Sequence, residues 1–244
     1  MPLQYNSLIE EHVTVRKNLG VFDVSHMGEF KISGPNAIDL LQYICSNDIS
    51  KISIGKAQYN YFPSELGGIV DDLIVYRLDD KDYMLVVNAS NIEKDWDHIR
   101  KNNKSFGAKI KDVSDQTALL SIQGPKALEA MQSLTDFKLN SLPFYGHTSA
   151  SFAGFQNVII STTGYTGAGG IEIYFRSDHA EKIWETVLEE GALQGIKPIG
   201  LGARDSLRIE MGYCLYGNEI DDNVSPIAAG LGWISKPKTK CINF

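Results

Sequence analysis

The chain of 244 residues is long enough to bury one large core or two smaller ones, and its 43% hydrophobic and 22% charged residues are those of an ordinary globular protein. A formal net charge of −7 excludes a protein built to coat nucleic acid, because phosphate contacts need a basic surface. No apolar run is long enough for a membrane-spanning helix, and a first segment carrying Glu10, Glu11 and His12 lacks the basic and apolar regions of a signal peptide.

In chain order, an apolar strand over Gly28 to Ile32 ends at Gly34-Pro35. Proline suits the first turn of a helix, so a helix is predicted next, with Ala37, Leu40, Leu41 and Ile44 on one face. A strand pair follows, Ile69 to Arg77 with Tyr83 to Val87, and then a helix over Asn91 to Asn102. The pattern then recurs. A strand over Ala118 to Ile122 ends at Gly124-Pro125, a second strand pair joins Asn157 to Thr162 with Gly170 to Arg176, and a helix covers Ala180 to Glu190. Ile32-Ser33-Gly34-Pro35 parallels Ile122-Gln123-Gly124-Pro125, and Glu93-Lys94-Asp95-Trp96 parallels Glu181-Lys182-Ile183-Trp184 at nearly the same spacing. Such self-similarity marks a duplication, with pseudo-repeats over about 22–113 and 114–235. Strands followed by a helix, twice, predict an α+β fold of duplicated antiparallel-sheet-plus-helix units.

Three polar segments stand out. Gly67-Gly68-Ile69-Val70-Asp71-Asp72 is a turn feeding a strand that opens with two carboxylates, and alternation sends them to opposite faces. They are either a strand-end pair capping the turn or a carboxylate projecting into a partly buried site. Thr163-Gly164-Tyr165-Thr166-Gly167-Ala168-Gly169-Gly170 is glycine-rich but matches no phosphate-binding pattern, so it reads as a hairpin turn or a ligand loop. Glu172 follows it, set between Ile171 and Ile173. A glutamate there is solvated, or is buried with a partner. The strand face carrying Ile171, Ile173 and Phe175 is core, which leaves Glu172 and Tyr174 on the other face; Glu172 is expected to share a polar cavity with Tyr165. In Gly200 to Glu210, helical spacing puts Ala203, Leu207 and Glu210 on one face and Arg204 with Arg208 on another. Arg204 pairs with surface acids or grips a carboxylate in bidentate fashion.

Cys45, Cys214 and Cys241 are far apart and form no C-x-x-C pair, which argues for a reducing compartment, and the five histidines show no ligand spacing, so no metal is expected.

The ordered set Met1-Pro2-Leu3-Gln4-Tyr5, Glu11-His12, Arg16, Phe22-Asp23-Val24-Ser25-His26-Met27-Gly28, Tyr59, the Gly-Gly…Asp-Asp strand, Val87-Asn88-Ala89, Thr163-Gly164-Tyr165-Thr166-Gly167, Gly200-Leu201-Gly202-Ala203-Arg204-Asp205 and Leu231-Gly232-Trp233 resembles the T-protein family of the glycine cleavage system. The resemblance covers essentially the whole chain. It implies a folate-binding aminomethyltransferase fold. It also implies a reaction in which a lipoyl-bound aminomethyl group on the H-protein gives its methylene to tetrahydrofolate and ammonia is released. It matches Asp72, thirteen residues after Tyr59, to the family's catalytic aspartate, and Glu172 to a pterin-holding glutamate. Met27, Tyr59, Asn88, Tyr165 and Trp233 match positions lining the folate site, and Arg204 a family arginine whose buried charge would meet folate's carboxylates. Tetrahydrofolate is implied as a substrate, with no metal. The partner implied is the lipoyl-carrying H-protein, and the assembly expected is a monomer that uses neither nucleic acid nor membrane. The expected location is the bacterial cytoplasm, or the mitochondrial matrix of a eukaryote.

The sequence departs from the family at Ala168, where an acidic residue is usual, and in length. Family members begin before Met1 and run on after Trp233 into a C-terminal β-barrel domain. Both ends therefore read as truncated, with the stop at Lys240-Cys241-Ile242-Asn243-Phe244 falling inside a continuing strand. A fragment without the barrel is expected to expose Trp233, to order poorly after Pro237, to bind tetrahydrofolate weakly and to transfer little. Two other readings compete: a folate domain of a sarcosine- or dimethylglycine-oxidising enzyme or of an iron–sulfur assembly factor, and a folate binder without activity. The assembly factors' cysteine motif is not found in this sequence.

Overall fold

The Gly-Pro steps each close a strand and open a helix, and the rest of the architecture repeats that local logic. In the computed structural model, which describes residues 1–239, 241 and 242, the elements run α1 (Leu8–Lys17), β1 (Gly20–Asp23), β2 (Gly28–Ser33), α2 (Ala37–Ile44), β3 (Lys56–Pro63), β4 (Ile69–Asp79), β5 (Asp82–Val87), α3 (Ile92–Asn103) and β6 (Lys109–Asp112). They continue with β7 (Thr117–Gln123), α4 (Ala127–Met131), β8 (His147–Phe152), β9 (Phe155–Ser161), β10 (Gly170–Arg176), α5 (Ala180–Gly191), β11 (Lys197–Pro198) and α6 (Leu201–Glu210). The fold is α+β, as the strand–helix pattern predicts. No helix is long and apolar enough to cross a membrane, among the described residues.

The chain forms two compact units. One is built from Met1–His26 with Asp115–Tyr213, and the other from Met27–Ser114 with the segment from Cys214 on.

The second unit holds a five-stranded sheet in the order β3-β4-β5-β2-β6, with every neighbouring pair antiparallel. Alternation along β4 buries Asp71, Leu73 and Val75 on one face, while Val70, Asp72 and Ile74 on the other are half-buried. Against the first face pack Leu40, Leu41 and Ile44 of α2 and Ile99 of α3, at the spacing of one helical stripe. The returning segment forms a smaller cluster in which Ile220, Leu231 and Ile234 pack on Tyr61 and Ile69. Gly68 permits this return: a Cβ there would lie 2.2 Å from the Asp222 carbonyl oxygen, so no larger residue fits. The strand expected at the C-terminal end falls partly on Lys240, Asn243 and Phe244, which lie outside the described residues; Pro237 to Thr239 form a turn.

The first unit holds a six-stranded sheet in the order β11-β1-β7-β10-β9-β8. It departs from the antiparallel expectation at one edge, where β11 runs parallel to β1, with Gly20 opposite Lys197 and Val21 opposite Pro198. An edge position suits Pro198, which has no N–H to give to a ladder. Ile171, Ile173 and Phe175 of β10 enter the core beside Ile122, Ile160 and Val187, which is the face the alternation predicts. The N-terminal segment is pinned by a buried carboxylate. Glu11 accepts from the backbone N–H groups of Tyr5 (2.6 Å), Asn6 (2.9 Å) and Gly200 (2.8 Å), the last at the start of α6.

Candidate functional site

In the second unit the β3–β4 register sets Tyr61 opposite Asp72 and Tyr59 opposite Ile74. Tyr59 therefore sits on the same sheet face as Asp72, one diagonal step away, within reach of a long side chain. Its hydroxyl donates to Asp72 Oδ2 at 2.7 Å. Asn88 stands just past the end of β5, whose Val87 is opposite Leu73, and its Nδ2 donates to Asp72 Oδ1 at 2.8 Å. Trp233 lies with its ring centroid 6.0 Å from that of Tyr59 and is 62% exposed. Met27 directly precedes β2 and is half-buried.

Burial raises the Asp72 carboxyl to about 7, the charge of Asp71 adds to the rise, and the bonds from Tyr59 and Asn88 oppose it. A carboxyl group poised there can hold or release a proton at neutral pH, the property required of a general acid or base. Asp71 is turned the other way and is fully buried. It accepts from Asn88 N (3.0 Å), Asn88 Nδ2 (2.9 Å) and Asn91 Nδ2 (2.6 Å). The reading of the Asp-Asp pair as a strand-end cap is thus replaced: one carboxylate anchors the interior and the other faces outward into a polar cluster. A depression of about 540 Å³ elsewhere on this unit, lined by Lys94, His98, Lys101 and Asp222 among others, includes none of the site residues that the resemblance implies.

In the first unit Glu172 lies on β10 directly between Ser121 of β7 and Ser161 of β9. Thr163 donates to Glu172 Oε2 at 2.5 Å, and the Tyr174 hydroxyl lies 3.5 Å from the same oxygen. Burial raises the Glu172 carboxyl, while Thr163, the Arg204 charge and Ser121 hold it down. Arg204 lies 4.5 Å above the Tyr165 ring, an attractive cation–π arrangement, and Tyr165 stacks on Tyr213 at 5.9 Å. Tyr165, Arg204 and Glu172 therefore belong to one local cluster.

The glycine loop that presents Tyr165 is held by two residues. Gln123 donates to the carbonyl oxygens of Thr163 (3.2 Å) and Ile171 (3.3 Å) and accepts from Thr166 (2.9 Å). A Cβ on Gly164 would lie 2.1 Å from Gln123 Oε1, so only glycine admits that side chain. Arg16 donates to the Thr166 carbonyl oxygen and to that of Leu207 (3.2 Å), tying the loop to α6.

One expectation for α6 needs correction. Ala203 and Leu207 are buried, while Glu210, at the end of the helix, is 54% exposed and pairs with Arg16 (2.8 Å) and His12 (3.1 Å). The buried cation is Arg208, 3% exposed and bonded to Asp205 Oδ1 (2.8 Å) and the Tyr213 carbonyl oxygen (3.0 Å). Arg204 is half-buried.

Sequence reasoning passed over Tyr145, Tyr213, Asn91 and Asp95. Tyr145 holds a left-handed backbone, φ 56°, an unfavourable conformation for a bulky residue. Burial, then Glu172 and Tyr213, push its hydroxyl up to about 12. Nothing in its local sequence announces this. Asp95 did carry a signal: it falls in the stripe Ile92, Trp96, Ile99, where an apolar residue belongs.

Comparison with known proteins places the chain in a family. Residues 1–239 match the family model described as the GCVT N-terminal domain. The chain is 58% identical over 236 residues to an aminomethyltransferase of Bacteroides fragilis and 56% identical to one of Phocaeicola vulgatus, in each case 97% of this chain and 65% of the relative. The chain thus spans about two thirds of the length of these curated relatives. A solved glycine cleavage system aminomethyltransferase T from Bartonella henselae superposes with a TM-score of 0.90 at 34% identity, over 99% of this chain and 65% of that one. A heterotetrameric sarcosine oxidase from Corynebacterium sp. U-96 shares the fold, with a TM-score of 0.54 at 13% identity over 77% of this chain and 92% of that one. On the match of the family model to nearly all of its length, this chain belongs to the GCVT N-terminal domain family.

Proposed function

We propose that this chain is the substrate-binding body of an aminomethyltransferase of the glycine cleavage system. In this reading the aminomethyl group arrives on the lipoyl arm of the H-protein and tetrahydrofolate attacks its methylene carbon. Two new C–N bonds replace the C–S bond and the bond to the departing ammonia, leaving 5,10-methylenetetrahydrofolate and dihydrolipoyl protein. The observation that carries it is Asp72, half-buried, held by Tyr59 and Asn88 and raised to about 7. A carboxyl group so placed can stabilise the cationic amine as the C–N bond forms and titrates near neutrality.

The donor sets fit the substrate. An aminopyrimidinone edge presents two parallel N–H donors, and the two oxygens of Glu172 can accept them. Tyr165 offers an aromatic face beside the Arg204 charge, which suits a flat pterin and an anionic tail. Met27 and Trp233 are read as further contacts. The protein acts as a monomer in the bacterial cytoplasm, and its two sheets descend from one duplicated unit. The competing oxidase reading has only a shared fold in its favour.

The test supplies aminomethylated H-protein and tetrahydrofolate to the protein at the full length of its relatives and follows methylenetetrahydrofolate. Formation that depends on Asp72 supports the reading. Tetrahydrofolate binding without any methylene transfer would leave a folate binder in its place.

A further inference from the structure

Beneath Asp72 lies a second layer of polar groups that the proposed reaction does not use. Asp71 and Asp95 are both fully buried. Asn91 and Asp95 are four residues apart on α3 and its N-cap, so they point to one side of the helix. Asn91 gives its amide hydrogen to Asp71 at 2.6 Å, and Asp71 lies within hydrogen-bonding reach of Asp95. Neither oxygen of Asp95 meets a donor among the described residues. Lys94, whose charge faces Asp95, directs its ammonium to the Tyr216 hydroxyl (2.6 Å) and to Asp222 (3.6 Å).

We infer that Asp95 is a positioning residue: a neutral carboxylic acid that gives its hydrogen to Asp71 and so fixes, through Asn88, the carboxylate of Asp72. A carboxylate has about four acceptor positions. Three on Asp71 take Asn88 N, Asn88 Nδ2 and Asn91 Nδ2, which leaves one for the Asp95 hydroxyl. Ionised, Asp95 would be an interior charge with no donor beside a second carboxylate, which is prohibitive without a partner. Protonated, it relieves both problems at once. Burial and then the Asp71 charge push its carboxyl up to about 11, with Asp72 adding to the rise and Lys94 opposing it. The chain of contacts is then directed throughout. Asp95 donates to Asp71, which holds the Asn88 backbone and amide, and the Asn88 amide bridges to Asp72 Oδ1 at 2.8 Å.

The consequence for catalysis rests on the reading of Asp72 as the reacting carboxylate; the protonation of Asp95 does not. The protein labelled with 13C at aspartate carboxyl carbons is titrated from pH 5 to 8, and the Asp95 and Asp72 signals are assigned from Asp95→Asn and Asp72→Asn. The Asp95 signal is expected to stay at its protonated position throughout. Asp95→Asn keeps a neutral donor, so the Asp72 midpoint should move by less than about half a pH unit. Asp95→Ala removes the donor, and there the midpoint should rise by about one unit, with turnover lowered about tenfold at unchanged KM. An Asp95 signal that titrates below pH 6, or an Asp72 midpoint that falls by a unit in Asp95→Asn because a charge has been removed, overturns the inference. Failure of methylene transfer in every variant would sink the proposed function and leave these titrations standing.

Discussion

The Tyr59 hydroxyl reaches diagonally across the β3–β4 ladder to Asp72, 2.7 Å away, and so joins two residues thirteen apart in sequence on one face of the sheet. That bond favours the ionised form of Asp72. Tyr59→Phe is therefore expected to raise the Asp72 midpoint above its value near 7 and to move the acid limb of the pH–rate profile to higher pH. It should lower stability by about 1.5–3 kcal/mol at most, the range for a hydrogen bond to a charged group. Carboxyl NMR and denaturant melts check the two parts separately, and an unmoved midpoint would deny the bond its electrostatic role.

Asp71 and Asp72 should respond oppositely to the same change. Asp72→Asn is expected to keep the melting temperature and lower turnover by about 10²- to 10⁴-fold, the value of a charge-stabilising or acid–base group. Asp71→Asn replaces one of the two oxygens that serve three interior donors by an NH2 group and should destabilise by about 1–3 kcal/mol. Calorimetry with steady-state rates on both variants decides between them. A stable Asp71→Asn with abolished turnover, beside an active Asp72→Asn, would reverse the assignment.

Glu172→Ala should weaken tetrahydrofolate binding by about 1.5–3 kcal/mol, measured by isothermal titration on the full-length protein. Thr163→Val removes the donor at 2.5 Å and should raise the Glu172 carboxyl further, since that bond opposes the effect of burial. Equal affinity in wild type and Glu172→Ala would remove the glutamate from the ligand contacts.

Arg16→Ala is expected to loosen the Tyr165 loop without touching its sequence. The exposed pair with Glu210 contributes little, but the bonds to the Thr166 and Leu207 carbonyl oxygens tie the loop to α6. Hydrogen exchange over residues 163–170 should accelerate by about tenfold or more while exchange in β10 stays slow, as befits a local opening.

Stability should fall as pH rises above neutrality. Asp72 is raised to about 7, Glu29 to about 9 by burial and the Asp112 charge, and Asp95 to about 11. Between their ordinary values near 4 and these values the folded chain holds more protons than the unfolded one. Unfolding free energy therefore decreases with pH across that window. The stabilisation is complete below about pH 4 for these groups and is lost as pH climbs through each raised value. His98, lowered to about 4 by burial, has the opposite sign, but only between its lowered and ordinary values, so it no longer contributes from pH 7 to 9. The melting temperature should drop by several degrees over that interval, and Glu29→Gln should flatten the drop. A melting temperature constant from pH 7 to 9 would count against buried neutral carboxyl groups.

Much of this molecule was legible before any coordinates. The stripe Ala37, Leu40, Leu41, Ile44 and the alternation Ile171, Ile173, Phe175 are local periodicities, and each is buried on the face it predicts. The antiparallel pairs β4–β5 and β9–β10 followed from the same signals. A parallel edge strand only two residues long carries no such period, and β11 was therefore not foreseen.

Sequence alone determined the fold class, the order of the strongly periodic elements and the family, because periodicity, turn residues and an ordered set of motifs are properties of neighbouring positions. Only the tertiary structure decided which charges are buried and what they meet. It set Arg208 inside and Arg204 over Tyr165, placed Asp71 against Asn88 and Asn91, and left Asp95 in the interior without a donor among the described residues. The physical reason is that helical or strand period tells a side chain which face it takes. Its protonation and its work depend on desolvation and on partners brought from distant segments, and those exist only once the chain has closed on itself.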